Sequence, residues 1–333
     1  MNKTNIIKFI FFINLFFAFN SLFAQNVNYN DYYKHTINAK ILSSQGLVSS
    51  AIQEYDRAFS SAYAFPDDII DAIKLHQKLK DEIKIKELLK LLVKCGYKTE
   101  NNIPLYIEDN NQYFKYIKPT YISIPEYKEE LDTIYKLYRK GYLENIDLEK
   151  DNYLSVFKSY EFIIAHTRKL ASNETDDSKL IYLQDALWRS TKDFFLNLYN
   201  SGQDISRQNT DSWNDDLFVN CLIHSAQTTD YKNEEFQEFL LQMVKIGNLH
   251  PYQYAVIIDD IEKRLGNEQI YGTAIDPIEF DGDIEKYRNT QKQISKIKDI
   301  ENVDKRRKEI FLPPLWTSAK KYNYKLPNNY KNK

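Results

Sequence analysis

The sequence predicts a mainly α protein: repeat-like antiparallel helical hairpins followed by an α-helical C-terminal domain. Three observations carry this. Glycine (8) and proline (9) are scarce in 333 residues, while tyrosine (26) and phenylalanine (19) are abundant, a balance that suits long helices packed through aromatic rings better than a turn-rich β-sandwich. Apolar residues recur every three or four positions over long stretches, the period of a helix with one buried face. Gly46, Gly96, Gly247, Pro66 and Pro251 stand at the ends of those stretches, where helices stop and start. With 43% apolar and 28% charged residues, the chain has the composition of a globular protein, not a disordered one.

Residues 1–24, MNKTNIIKFIFFINLFFAFNSLFA, have the layout of a secretory signal peptide. Lys3 and Lys8 precede an apolar run from Phe9 to Phe19 that is short for a membrane span, and Ala24 provides a small residue for cleavage before Gln25. The expectation is export to the periplasm or the cell exterior, with no stable membrane insertion after cleavage. Loss of the leader removes two lysines from a chain already at a formal charge of −2, so neither a nucleic acid nor an anionic membrane is implied as a partner. Cys95 and Cys221 allow at most one disulfide in an oxidising compartment, and their apolar helical surroundings favour two buried thiols.

Residues 25–98 form the repeat-like region. Tyr32 to Ser44 and Val48 to Ala64 read as helices joined at Gly46, and Asp67 to Leu79 and Glu82 to Cys95 as a second pair ending at Gly96. Ala39, Leu42, Gly46, Ala51, Tyr55 and Ala58 occupy the small and apolar positions of a tetratricopeptide repeat, which the first pair resembles. A generic helical hairpin also needs small residues where its helices cross. Residues 99–125 contain three prolines and no helical period. They read as a linker with short strands at 113–117 and 120–124.

The α-helical domain, 126–324, begins with a helix at Glu126 to Lys140, followed by Asn152 to Ala171 and Ser178 to Asn200. In the last of these, Leu183, Leu187, Thr191, Phe194, Phe195 and Leu198 mark the core face, and Trp188 beside them reads as packing. Trp213 to Gln227 is apolar nearly all round, which predicts burial of the helix and of His224 on it. Glu234 to Ile246 is amphipathic and stops at Gly247. His250-Pro251 opens the next helix, with His250 expected to be exposed and to cap it. There Tyr254, Ile257, Ile258, Ile261 and Leu265 line one face. Asp260 reaches Arg264 one turn on, and Asp259 on the far side is expected to pair with Lys263. Phe311 to Trp316 reads as an extended strap on the core, and 325–333 as a disordered tail.

The segment from about 202 to 322 resembles the uncharacterised domain-of-unknown-function family 6624. The residues that carry this are LIHSA with His224; Ala255 and Asp259 followed ten residues later by Gln269-Ile270-Tyr271-Gly272-Thr273; and Val303-Asp304-Lys305-Arg306-Arg307 ahead of Leu312-Pro313-Pro314-Leu315. Asp260 and Ala274 depart from the family pattern, in which arginine and glutamine are common. The resemblance implies a polar site without naming a reaction.

Two functional classes follow. In the first, the chain is a protein-interaction or ligand-binding module, and the polar residues are a network that fixes helix packing. In the second, a hydrolase-like enzyme, His224 and Asp259 are catalytic and Gln269, Tyr271, Arg306 and Arg307 bind a polar ligand. No H-x-x-x-H or H-E-x-x-H spacing, G-x-S-x-G, P-loop or dinucleotide fingerprint is present, so no metal or cofactor is expected. The expected partner is an unknown protein or a polar small molecule.

Overall fold

The computed structural model of the protein describes residues 27–97, 127–156, 177–202, 206–211, 216–226, 234–277 and 292–331. The expected leader and the linker with its two strands lie outside these residues. The fold is mainly α, with helices packed as hairpins and a single two-stranded sheet among the described residues.

Helix α1 (Tyr29–Gln45) begins where the Asn28 side chain accepts a hydrogen bond from the Asp31 amide, and ends at Gly46 with φ 84°. The turn is two residues long, so α2 (Val48–Ser61) runs back along α1. Ala39, Ala51 and Ala58 are completely buried, which lets the two backbones approach closely. Helix α3 (Pro66–Leu79) has proline in its first turn, with Asp67 and Asp68 against the positive end of the helix dipole. Asp81 caps α4 (Glu82–Lys94) by accepting from the Lys84 amide. These spans reproduce the expected hairpins to within a few residues at each end. Helix α5 (Lys128–Leu143) packs on α4, and residues 148–156 are helical.

Four further helices, α6 (Asp177–Asn200), α7 (Asp216–Ala226), α8 (Glu234–Lys245) and α9 (Pro251–Arg264), pack on one another. The core is continuous from the N-terminal hairpins into this set. The Tyr33 hydroxyl donates to the carbonyl of Val244 at the end of α8, 2.6 Å away, and the Tyr33 ring stacks on Phe311 with centroids 4.7 Å apart. Gly247, which ends the α8 turn at φ 76°, leaves its Cβ position to the ring of Tyr29.

After α9 the chain forms β1 (Ile275–Pro277) and β2 (Lys292–Ile294), antiparallel with Ile275 opposite Ile294. A 3₁₀ turn (Ile300–Asn302) leads into α10 (Val303–Glu309) and then α11 (Leu315–Tyr322), which reaches back to α1. Ile294, Ile297, Ile300, Val303, Leu315 and Ala319 form a second, smaller core.

Two expectations for this end of the chain are corrected. The strap is extended only over 312–314, and Leu315 starts a helix because its amide donates to Asp304 Oδ1 at 2.7 Å. The described part of the tail is held in place: the Lys325 amide donates to the Lys292 carbonyl, and the Tyr330 hydroxyl donates to Asp304 Oδ2 at 2.7 Å. Asp304 takes part in both, its two oxygens serving segments that local pattern does not connect.

Gly247→Ala should therefore be far more damaging than Gly46→Ala. Both glycines have positive φ, but a Cβ at 247 would lie 1.9 Å from the Tyr29 ring whereas nothing lies within 4 Å at 46. Thermal unfolding is expected to show a loss of about 3 kcal/mol or more for the first and about 1 kcal/mol for the second.

Candidate functional site

The loop 269–274 is built around one carboxylate. Asp259 projects from α9 and is almost fully buried. Its Oδ1 accepts from the amides of Ile270 (2.7 Å) and Tyr271 (2.8 Å), and its Oδ2 from the amide of Thr273 (2.8 Å) and the Thr273 hydroxyl (2.7 Å). Burial pushes this carboxyl above its ordinary range, against the pull of the four donors. Gly272 makes the loop possible. Its φ is 79°, and a Cβ would sit 2.8 Å from methyl carbons of Ile297 and Leu315.

Gln269 closes the other side of the loop. Its side-chain nitrogen donates to the carbonyls of Ala274 and Ser295, and its side-chain oxygen accepts from the Ala274 amide. The arginines complete the structure from α10. Buried Arg307 donates to the carbonyls of Tyr271 and Pro313, both at 2.7 Å, and to the Ser318 hydroxyl at 2.9 Å. Burial lowers its pKa to about 10, which leaves the guanidinium charged at neutral pH. Arg306 donates to the carbonyls of Ile270 and Asp299 at 3.1 Å, and also to that of Lys298. Tyr271 packs beside Tyr254 with ring centroids 6.1 Å apart.

Asp259, Gln269, Tyr271, Arg306 and Arg307, the residues that the resemblance singles out apart from His224, lie around this loop. His224 is not among the partners of Asp259. It is half-buried, with its ring stacked on Trp188 at 4.8 Å and 25°. Nor does Asp259 pair with Lys263, which instead lies 3.8 Å from Asp276. The carboxylate points into the loop, where four donors outweigh one exposed ammonium. The expected pair of Asp260 with Arg264 is present at 2.9 Å. A carboxylate that already accepts four hydrogen bonds is poorly placed to take a proton from a substrate, and three of the Arg307 nitrogens are committed within the chain.

A second polar cluster lies where the N-terminal hairpins meet α9, and the sequence reading does not anticipate it. Asp68, in the first turn of α3, is 1% exposed. Its Oδ2 accepts from the Tyr32 hydroxyl at 2.7 Å, and its Oδ1 lies 2.6 Å from Lys40 Nζ and 3.9 Å from His250 Nε2. Burial pushes the Asp68 carboxyl up, but the Lys40 ammonium and the His250 imidazole outweigh it and hold the group well below the usual carboxylate range.

His250 caps α9 as expected but is buried, its ring set edge-on against Phe65 at 5.0 Å. The exposure expectation fails because the wall that covers the ring comes from Phe65 and Asp68, far away in sequence. The Arg207 guanidinium lies 3.7 Å from the Phe65 ring centroid and donates to the carbonyls of Tyr63, Ala64 and Gly247. The sequence signal for this cluster is Tyr29, Tyr32 and Tyr33, three phenols on one helix face that need partners in the interior.

Cys95 and Cys221 are both buried and are not joined in a disulfide, and burial pushes the Cys95 thiol up to about 12. Among the described residues, no group of three histidine, cysteine, aspartate or glutamate side chains is placed to hold a metal ion. Comparisons with protein families, with curated proteins and with solved structures find no match.

Two measurements test this arrangement. Asp259→Asn puts an NH₂ group in front of loop donors and should cost about 3 kcal/mol in denaturant unfolding, against about 1 kcal/mol for Thr273→Val, which removes one donor of four. Asp68 ionises at lower pH in the fold than in the unfolded chain, so its stabilising effect is complete above about pH 4 and is withdrawn as pH falls toward the folded value. Asp68→Asn should therefore destabilise the protein by about 2–4 kcal/mol at neutral pH, with the difference from the native chain narrowing below about pH 4.

Proposed function

We propose that this chain is an exported protein-interaction or ligand-binding module, acting in the periplasm or outside the cell. In this reading the N-terminal hairpins are tetratricopeptide-like and present the contact surface, and the C-terminal part, related to the uncharacterised family 6624, braces them. The choice between a binding module and a hydrolase rests on one observation: the Asp259 carboxylate that a His224-centred mechanism needs is consumed by the 270–273 loop. The His224 ring is stacked on the Trp188 indole.

The hairpin turns offer apolar contact points. Consecutive antiparallel hairpins bring their turns to the same end of the stack, and Leu47, Leu79 and Ile83 stand at the two turns, at 51%, 51% and 78% exposure. Export is supported by the pattern of residues 1–24, and no described helix is long and apolar enough to cross a membrane.

A photoreactive phenylalanine in place of Ile83, with a control in place of the equally exposed Tyr182 (77%), tests the reading in the cells that make the protein. Adducts from the first position and none from the second are expected, on a chain whose N-terminus is Gln25. Absence of adducts at 83, together with hydrolysis of a chromogenic ester that His224→Ala abolishes, would overturn the binding reading in favour of the enzyme.

A further inference from the structure

We propose that His250 is a proton-sensitive clasp between the N-terminal hairpins and the C-terminal helices. The argument starts from the hydrogens. An amide N–H can only donate, so the 3.1 Å contact between the Tyr252 amide and His250 Nδ1 requires a lone pair on Nδ1. The ring is then neutral, with its proton on Nε2, the nitrogen that faces Asp68 at 3.9 Å.

The reciprocal half of the cap is also present, because the His250 amide donates to the Gln253 side-chain oxygen at 3.1 Å. Nδ1 is therefore unavailable to a substrate, and the histidine–aspartate pair is no catalytic dyad. Taking up a proton has one outcome here. The proton arrives from solvent, occupies the Nδ1 lone pair and ends the hydrogen bond that starts α9.

The charges around the ring set the balance. Asp68 on α3 favours the imidazolium but is already engaged by Lys40 Nζ at 2.6 Å and by the Tyr32 hydroxyl, both from α1. From the 206–211 segment Arg207 places a second cation against Phe65, the ring that His250 touches. Own-helix neighbours Tyr252 and Gln253 contribute only the capping bonds. The carboxylate beside the ring is thus shared with two groups of α1, and whatever an imidazolium gains at Nε2, it loses the bond at Nδ1. Protonation uncaps α9, and the change falls on the seam where His250 meets Asp68 and Phe65.

Hydrogen exchange of the Tyr252 amide, corrected for intrinsic rates, reads the clasp directly when the full chain is taken from about pH 7.5 to about pH 5, the range in which imidazoles titrate. Protection is expected to fall about tenfold, the size of a lost N-cap. In His250→Asn, whose side chain caps without titrating, protection should stay flat. No fall in the native chain, or an equal fall in the variant, overturns the proposal.

Nitrogen-15 NMR of the native chain keeps the test independent of whether the variant folds. Nδ1 should appear unprotonated at the higher pH and become protonated in step with the loss of Tyr252 protection. A protonated Nδ1 at the higher pH would also overturn it.

Discussion

Helix α1 buries Tyr29, Tyr32 and Tyr33 on one face, and every phenol taken into the interior needs a hydrogen-bond partner there. The partners found are the Tyr63 carbonyl, the Asp68 carboxylate and the Val244 carbonyl. Two belong to the N-terminal hairpins and one to the end of α8. Desolvation raises the Tyr32 and Tyr33 pKa values well above the ordinary phenol range, so both remain neutral donors. This requirement joins the first hairpin to helices some two hundred residues later and explains why one core runs through both. It also explains Gly247, since no side chain fits where the Tyr29 ring lies.

The C-terminal part meets the same kind of demand with charge. A loop that turns sharply after α9 exposes amides that no helix or strand satisfies, and Asp259 receives three of them. The loop carbonyls of Ile270 and Tyr271 face the other way and are taken by Arg306 and Arg307. One carboxylate and two guanidiniums thus replace the backbone ladder that a longer sheet would supply. Aspartate, glutamine, glycine, threonine and the paired arginines each have a structural part in this geometry. The same economy recurs at Asp304, which starts α11 with one oxygen and holds the Tyr330 hydroxyl with the other.

Much of this was legible in the sequence where the cause is local. Helix periods, Gly46 and Pro66 mark the first four helices, and alternating small residues at Ala39, Ala51 and Ala58 mark the crossing of α1 and α2. That Asp259 belongs with residues 269–273 comes only from the resemblance, since its own helix points to Lys263. Misplaced residues share one feature, that their environment comes from distant segments. His250 was expected at the surface because its own helix leaves it there, and Phe65 with Asp68 covers it. Lys263 was the nearest cation to Asp259 along the helix, but the loop supplies four donors at hydrogen-bond distance. Leu315 and the tail lack a strong local signal; Asp304 bonds both, and β2 holds Lys325.

By itself, then, the amino-acid order determined a mainly α chain and its hairpins, because helix period, end signals and short loops act over a few residues. Only the tertiary structure decided what the polar residues do together. It turned Asp259 into the loop, and it buried His250 against Asp68 and Phe65. Hydrogen-bond saturation and burial depend on which distant groups arrive at a side chain, and local pattern carries no record of them.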